Sequence, residues 1–279
     1  MGILNVTPDS FSDGGLRADP EEAIRDGLLL AAEGADIIDI GGESTRPGAA
    51  PVPSEVEQAR ILPVVRALSA SIPVSVDTRH AATMRAALDA GARIINDVSG
   101  LTHDPAAAPL VTERGCPVVL MHMRGTPATM NTHARYQDVI AEVRAELGAR
   151  VDAALAAGIA PEAIVLDPGI GFAKHAEHSL AILRGLPTLA SLGYPLLVGV
   201  SRKRFIGTLA DEPEPARRLG GSLAAGLFAI ANGASVLRVH DVRETIQAIR
   251  VWQVLANCDT VSYAQIRKLC NDRAGGSNK

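Results

Sequence analysis

Short apolar runs recur along the chain, and the gaps between them are long enough for one helix each. Runs of this length are typical of strands buried on both faces of a parallel sheet. In the gaps, apolar positions repeat every three or four residues, as on one face of a helix. The predicted strands are 3–6, 36–40, 74–76, 93–95, 118–121, 164–166, 196–200 and 236–239, and the predicted helices include 20–33, 54–68, 81–90, 139–157 and 219–232.

Residues at the predicted helix ends support this alternation. Asp19 can cap the first helix with Pro20 at its first position, and Gly34, Gly91 and Gly233 each follow a helix where a left-handed residue is favoured. Eight strands alternating with helices in about 250 residues fit an α/β fold of the (β/α)8 TIM barrel type. An open doubly wound sheet is the alternative, and we predict the barrel.

The composition is that of a globular chain with a full-sized core. Of 279 residues, 47% are hydrophobic and 21% are charged, which excludes a disordered or fibrous protein. No linker-like stretch interrupts the apolar pattern. We therefore predict a single domain over residues 1–272, followed by a flexible polar tail at 273–279.

Charge and hydropathy narrow the class of partner. Lysine and arginine number 27 against 31 acidic residues, a net charge of −4, which argues against nucleic acid or a membrane surface as a partner. No apolar stretch approaches the ~18 residues of a membrane span, and no export signal precedes the first strand. We expect a cytoplasmic protein whose anionic ligands, if any, meet local positive charge.

A polar residue stands at the end of every predicted strand. In a barrel all eight ends face one mouth, so residues distant in sequence become neighbours there. Each one alone could merely satisfy a turn, but together they imply a small polar ligand. The ring comprises Asn5, Asp39, Asp77, Thr78, Asn96, Asp97, His122, Asp167, Ser201, Lys203, Arg238 and His240.

Two kinds of chemistry are represented in this ring. The cations Arg46, Lys203, Arg238 and His240 follow strands two, seven and eight, and loops seven and eight are a common phosphate site in this fold. We predict that they hold a phosphate or pyrophosphate group. Thr45, next to Arg46, adds a hydroxyl in a stiff turn that suits an oxyanion.

The acidic members suit a flat ring rich in N–H groups. Ionised Asp77 and Asp167 accept paired hydrogen bonds, Asn96 adds an amide, and Lys203 can donate to ring acceptors. A pterin edge has this shape, although the residue types alone do not decide which ring is bound. The glycine-rich stretch at 167–172 matches neither a Walker A motif nor a dinucleotide fingerprint, which argues against nucleoside triphosphates and NAD.

No cluster of histidine and cysteine suggests a tightly held transition metal. Any ion is expected to be Mg²⁺ that arrives with phosphate groups and contacts one or two protein oxygens. Two polar, glycine-rich loops, at 7–15 and 41–48, are long enough to act as lids, with Phe11 at the tip of the first.

Seven motifs together resemble the dihydropteroate synthase family, in the order in which that family has them. They are ILNVTPDSFSDGG at 3–15, ESTRPG at 43–48, SVDT at 75–78, IND at 95–97, LDPGIGF at 166–172, SRK at 201–203 and RVH at 238–240. The resemblance extends over nearly the whole chain. It implies a folate-pathway transferase that joins 6-hydroxymethyl-7,8-dihydropterin diphosphate to 4-aminobenzoate, releasing pyrophosphate and giving 7,8-dihydropteroate.

The resemblance also assigns roles to the polar ring. It implies that Asp77, Asn96, Asp167 and Lys203 hold the pterin, with Asp77, Asp167 and Lys203 as the catalytic set. It further implies a diphosphate site, a magnesium ligand and an aminobenzoate pocket. These consist of Thr45, Arg46, Arg238 and His240 for the diphosphate, Asn5 for Mg²⁺, and Phe11, Pro47, Phe172, Ser201 and Lys203 for the aminobenzoate.

The implied mechanism begins with loss of pyrophosphate from the pterin methylene, followed by attack of the arylamine on the cation. The turn at 45–48 carries no insertion, so we expect sulfonamides to act as competitive inhibitors. We also expect a homodimer, with helices 219–232 and 242–255 as candidate faces.

Three other functions share part of this pattern. A pterin-binding barrel that moves a methyl group from a reduced folate would share Asp77, Asn96 and Asp167, but it would not need the diphosphate residues. A Schiff-base aldolase would use Lys203 as nucleophile. A pterin carrier without activity would bind the ligand and not turn it over.

Overall fold

The structure is a computed structural model, and it describes residues 1–7, 19–45 and 48–256. Strands and helices alternate throughout these residues. The strands β1 to β8 are Gly2–Asn5, Ile38–Gly41, Val74–Asp77, Ile94–Asp97, Val118–Met121, Ile164–Asp167, Leu196–Val198 and Ala234–Leu237. The helices α1 to α10 are Pro20–Ala32, Ser54–Leu68, Ala81–Asp89, Ala107–Arg114, Val139–Ala156, Ala176–Arg184, Leu186–Ala190, Arg204–Ala210, Leu219–Ala231 and Val242–Ala256.

The strands form one parallel sheet that closes on itself. Its order is β1 to β8 in sequence, and every adjacent pair is parallel. Closure is made by the segment after β8, where Ile3 donates to the carbonyl of Val239 at 2.9 Å and Val239 donates to that of Met1 at 3.0 Å. The fold is therefore the predicted (β/α)8 barrel, and the doubly wound alternative is wrong.

The apolar runs form the layer between barrel and helices. Ile38, Ile40, Val74, Val76 and Ile95 are all fully buried, as strands covered on both faces require. At the first helix, the Asp19 carboxylate accepts the N–H of Glu21 at 2.9 Å, which confirms the predicted cap. The predicted polar tail lies outside the described residues, so the boundary at 272 stays a prediction.

Within the described residues no helix is long and apolar enough to cross a bilayer.

Candidate active site

The strand register aligns the polar residues at the carboxyl end of the barrel. Asn5 pairs with Gly41, Gly41 with Asp77, and Asp77 with Asn96, so four consecutive strands end at one level. Across the barrel, Asp167 ends β6. Because carboxyl ends of parallel strands share an edge, these side chains surround one mouth.

A cleft opens at this mouth. A concave site lined by a few convergent polar groups suits a small-molecule ligand. The predicted site residues that line it are Thr45, Asp77, Asn96, Asp167, Phe172, Ser201, Lys203, Arg238 and His240. The structure thus brings together the acids, the amide and the cations that the sequence separates by up to two hundred residues.

The remaining predicted site residues are Asn5, Phe11, Arg46 and Pro47. Asn5 ends β1 beside the cleft and is half-buried. Phe11, Arg46 and Pro47 lie outside the described residues, so their predicted roles stay predictions.

A carboxylate beneath the cleft organises its floor. Asp39 in β2 is fully buried, and its Oδ2 accepts from Arg238 Nε at 2.6 Å and from Asn96 Nδ2 at 2.9 Å. Arg238 also donates through a terminal nitrogen to Asp77 at 3.0 Å. One guanidinium therefore bridges two acids, and one acid orients both the guanidinium and the amide.

Burial governs the protonation of this cluster. It raises the pKa of Asp77 to about 8, against the lowering effect of Arg238. It raises the pKa of Asp167 as well, although Lys203 and the N–H of Gly169 oppose the shift. For Arg238, burial disfavours the cation, but Asp39 and Asp77 more than offset this and raise its pKa. The floor is thus a set of acids around a permanent cation.

Lys203 lies between the floor of the cleft and the ring of Phe172. Its Nζ donates to the carbonyl of Ile170 and lies 4.6 Å from the centroid of the Phe172 ring. Burial lowers the pKa of Lys203 to about 8, with Asp167 opposing the shift. At neutral pH the group is mostly an ammonium that can donate into the cleft.

The loops after β7 and β8 meet at the rim. The Ser201 hydroxyl accepts the backbone N–H of His240 at 3.2 Å and lies 3.0 Å from His240 Nδ1. Arg202, with a positive φ of 59°, pairs with Asp241 on the far side. These contacts join the two loops into one wall, which is the usual phosphate-binding corner of this fold.

A buried ion pair anchors the loop after β2. Arg79 donates to Glu43 at 2.8 Å through a terminal nitrogen and at 3.1 Å through Nε. The N–H of Val52 also binds Glu43, at 3.0 Å. Because Thr45 follows two residues after Glu43 and lines the cleft, this pair determines where the loop approaches the ligand.

The oxygen chemistry near Asn5 suits Mg²⁺. A Cβ on Gly41 would stand 3.6 Å from Asp77 Cβ and 3.9 Å from Asn5 Oδ1, so the glycine leaves open the space between these side chains. In the described part of the chain, no three His, Cys, Asp or Glu side chains group as a metal site. One amide oxygen beside an open space fits an ion that keeps its waters and arrives with phosphates.

Three strand-end residues of the predicted ring have partners outside the cleft. Thr78 donates to Glu57 at 2.9 Å in α2, Asp97 accepts the N–H groups of Ser99 and Leu101, and His122 contacts Glu146 in α5. Alternation along a strand explains this, because successive side chains point to opposite faces.

Sequence reasoning also missed supporting residues that do not line the cleft, namely Glu43, Arg79 and Lys174. Asp39 belonged to the predicted ring without an assigned role. Its hydrogen bonds to Arg238 and Asn96 show that it orients both of these site residues. For Glu43, the available signal was its position two residues before Thr45, whereas nothing in the sequence marks Lys174 as a buried charge.

Comparison with known proteins gives concordant matches. A profile of the family described as pterin binding enzyme matches residues 1–240. The chain is 51% identical over 259 residues to the dihydropteroate synthase of Mycobacterium leprae, which covers 90% of this chain and 91% of that protein.

Solved structures agree with the sequence match. The dihydropteroate synthase of Xanthomonas albilineans with 4-aminobenzoic acid aligns with a TM-score of 0.87 at 49% identity, covering 92% of each chain. The Yersinia pestis dihydropteroate synthase in a sulfonamide drug complex aligns with a TM-score of 0.87 at 42% identity, covering 92% of this chain and 94% of that one.

Proposed function

The chain belongs to the pterin-binding enzymes and, within them, to the dihydropteroate synthases, and from that premise we propose which of its residues bind and activate the two substrates. The reaction condenses 6-hydroxymethyl-7,8-dihydropterin diphosphate with 4-aminobenzoate. Its products are 7,8-dihydropteroate and pyrophosphate, so the enzyme is a transferase that forms a C–N bond in folate biosynthesis. The observation that supports the residue assignment is the single cleft shared by Asp77, Asp167 and Lys203.

The pterin binds on the floor of the cleft. Asp77 and Asp167 accept from the N–H groups of the guanidine-like edge, and Asn96 is held for the same purpose by its bond to Asp39. Asp77 accepts after losing the proton that its pKa of about 8 leaves on it at neutral pH. Lys203 donates to the ring carbonyl and nitrogen acceptors. These pairings satisfy every buried charge on the floor with a ligand group or a protein partner.

The diphosphate is assigned to Thr45, Arg238 and His240, which line the cleft, and Arg46, outside the described residues, stays a predicted partner. Asn5 would contribute one oxygen to Mg²⁺ beside the open space at Gly41. When bound, Mg²⁺ neutralises charge on the phosphoryl oxygens and so makes pyrophosphate a better leaving group. Asn5→Ala should raise the Mg²⁺ concentration needed for half-maximal activity, whereas an unchanged requirement would contradict this ligand.

The aminobenzoate site is assigned to the wall of the cleft that carries Phe172. Phe172 offers a ring face, Ser201 a hydroxyl and Lys203 a nearby ammonium, and Phe11 and Pro47, outside the described residues, stay the predicted lid residues of this pocket. A carboxylate-bearing arylamine fits this mixture of one apolar wall and two donors.

The chemical step needs no covalent bond to the protein. The C–O bond between the pterin methylene and the diphosphate breaks, and its electron pair leaves with pyrophosphate. The arylamine nitrogen then attacks the methylene and loses one proton. Asp77 and Asp167 lie near the positive charge that develops on the ring, while Arg238 and His240 face the departing anion.

Replacing Asp167 with asparagine tests the floor assignment. Asp167→Asn keeps the side-chain size but removes the charge, so pterin diphosphate should bind roughly 10- to 100-fold more weakly. Calorimetric titration measures this directly. Asp104→Asn is the matched control, because Asp104 caps the loop before α4 away from the cleft, and unchanged pterin affinity in Asp167→Asn would refute the assignment.

Sulfonamides are proposed as competitive inhibitors at the aminobenzoate site. The Yersinia pestis relative has been solved in a sulfonamide drug complex, and the same pocket chemistry accepts an arylamine with an acidic group. A sulfonamide should raise the apparent KM for aminobenzoate and leave kcat unchanged. A fall in kcat at saturating aminobenzoate would contradict competition.

A homodimer is also proposed, through an apolar surface formed by α9 and α10. Phe228, Val251 and Leu255 are 45%, 56% and 71% exposed, and exposed apolar patches of this kind mark interaction surfaces. Val251→Glu should shift the mass measured by light scattering from dimer to monomer.

We place the enzyme in the cytoplasm, which cell fractionation would test.

A further inference from the structure

The loop that follows β6 has an unusual backbone. Gly169, Gly171 and Ala173 have φ angles of 66°, 79° and 48°. Glycine adopts a positive φ without steric cost. Alanine does not, because its Cβ crowds the backbone in that conformation. A non-glycine residue stays in such a conformation only where its surroundings hold it.

The next residue, Lys174, provides such a hold from inside the protein. It is 7% exposed, and its Nζ lies 2.8 Å from His122 Nδ1, 3.0 Å from the carbonyl of Phe172 and 3.4 Å from that of His122. Burial lowers the pKa of Lys174 to about 7, with Asp167 opposing the shift, and in the ammonium form its three protons match the three surrounding acceptors. The side chain thus reaches back from the loop after β6 to the residue after β5.

One further group, Glu146, orients the imidazole that Lys174 contacts. His122 is fully buried, and burial lowers its pKa to about 4, so the ring is neutral. Its Nε2 lies 3.0 Å from Glu146, and the hydrogen bond from His122 lowers the pKa of that carboxyl to about 2. The partners therefore assign Nε2–H as donor to Glu146 and Nδ1 as acceptor from Lys174.

We propose that Lys174, oriented by His122 and Glu146, is a positioning residue that fixes the Phe172 main chain and thereby the aromatic wall of the aminobenzoate pocket. This inference rests on the proposed placement of aminobenzoate against Phe172. The ring of Phe172 lies beside Lys203. A shift of the Phe172 backbone would therefore move the aromatic wall and also break the contact between the ring and Lys203.

The pterin side of the same loop has a separate anchorage. The Asp167 carboxylate accepts the N–H of Gly169 at 2.7 Å, and its carbonyl accepts the N–H of His122 at 2.8 Å. Neither bond uses the Lys174 side chain, whose charge acts on the Asp167 carboxyl less than that of Lys203 does. Loss of Lys174 should therefore affect one substrate much more than the other.

Steady-state kinetics of Lys174→Met measure that difference. Methionine fills the volume but donates no hydrogen bond, so the KM for aminobenzoate should rise roughly tenfold from the loss of about one net hydrogen bond at Phe172. The KM for pterin diphosphate should stay within about twofold, given the intact Asp167 anchorage. A variant that is merely less stable would not separate the two constants.

Arg150→Met is the matched control, because Arg150 is another cation that holds loop carbonyls, those of Ser99 and Met123. It should lower the thermal midpoint and leave both KM values unchanged. Equal KM values in Lys174→Met and wild type, or an equal rise for both substrates, would overturn the proposal.

A second variant decides the matter if Lys174→Met does not fold. Glu146→Gln at the partly exposed end of the chain of contacts should raise the aminobenzoate KM about two- to threefold, and no change in a folded Glu146→Gln protein would overturn the proposal. Failure of the underlying function is distinguishable, since wild type would then form no product from the two substrates.

Discussion

Asp39 is the residue whose replacement tests the organisation of the floor most sharply. Asp39→Asn removes the charge that Arg238 Nε and Asn96 Nδ2 share through one oxygen. An asparagine oxygen can still accept both donors. Its amide nitrogen then occupies the place of Oδ1, which is buried without a hydrogen-bond partner among the described residues.

The magnitude follows from these contacts. A charge-assisted hydrogen bond of about 1.5–3 kcal/mol becomes a neutral one of about 1 kcal/mol, and the buried amide costs about 1–3 kcal/mol. We therefore expect the free energy of unfolding to fall by about 1.5–5 kcal/mol. Arg238 is then left with Asp77 as its carboxylate partner. Because Asp77 is one of the acids that should receive the pterin, its pairing with Arg238 competes with ligand binding. Pterin diphosphate should therefore bind at least about tenfold more weakly, a loss of about 1.4 kcal/mol in binding free energy.

Urea denaturation and calorimetric titration measure the two effects separately. Asp97→Asn is the matched control, because Asp97 is equally buried but binds the N–H groups of Ser99 and Leu101 instead of site residues. It should lose stability and keep its pterin affinity within about twofold. If Asp39→Asn binds pterin as wild type does, or no worse than Asp97→Asn, Asp39 does not organise the floor.

Three further changes have defined outcomes. Burial raises the pKa of Glu57 from its usual 4.5 to about 7, so the folded chain binds that proton more tightly than the unfolded chain and loses stability as pH rises. Glu57→Gln should match wild type at pH 5 and exceed it by about 2 kcal/mol at pH 8 in urea titrations, and equal stability at both would contradict this. Arg79→Met leaves Glu43 buried without its cation and should lower the free energy of unfolding, measured by thermal denaturation, by about 3 kcal/mol. Adding Glu43→Gln should restore part of this stability in the double variant. Strictly additive losses would argue against coupling between the two residues. Gly169→Ala places a Cβ 2.0 Å from the His122 carbonyl oxygen and should abolish turnover, whereas Gly193→Ala, with no atom within 4 Å, should keep its kcat/KM.

The fold was predictable because the barrel depends on patterns that are local in sequence. The predicted helix 54–68 has the same bounds as α2, and the predicted strand 118–121 is β5. Strand ends in a barrel meet whatever the details of packing, so Asp77, Asp167 and Lys203 could be placed in one mouth from the order of elements.

Partners across the barrel were not predictable in the same way. That Arg238 turns to Asp39 depends on register and side-chain direction, and both residues come from strands or loops far apart in sequence. His122 illustrates the converse case, since it follows a strand as predicted but contacts α5 instead of the cleft. Residues such as Lys174 are recognisable only once a buried charge is seen with its acceptors.

Pyrophosphate release from the purified protein tests the central claim most directly. With 6-hydroxymethyl-7,8-dihydropterin diphosphate, Mg²⁺ and 4-aminobenzoate, we predict one pyrophosphate for each 7,8-dihydropteroate formed, with little release when the arylamine is omitted. Failure to form dihydropteroate, or methyl transfer from a reduced folate by the same preparation, would contradict the account.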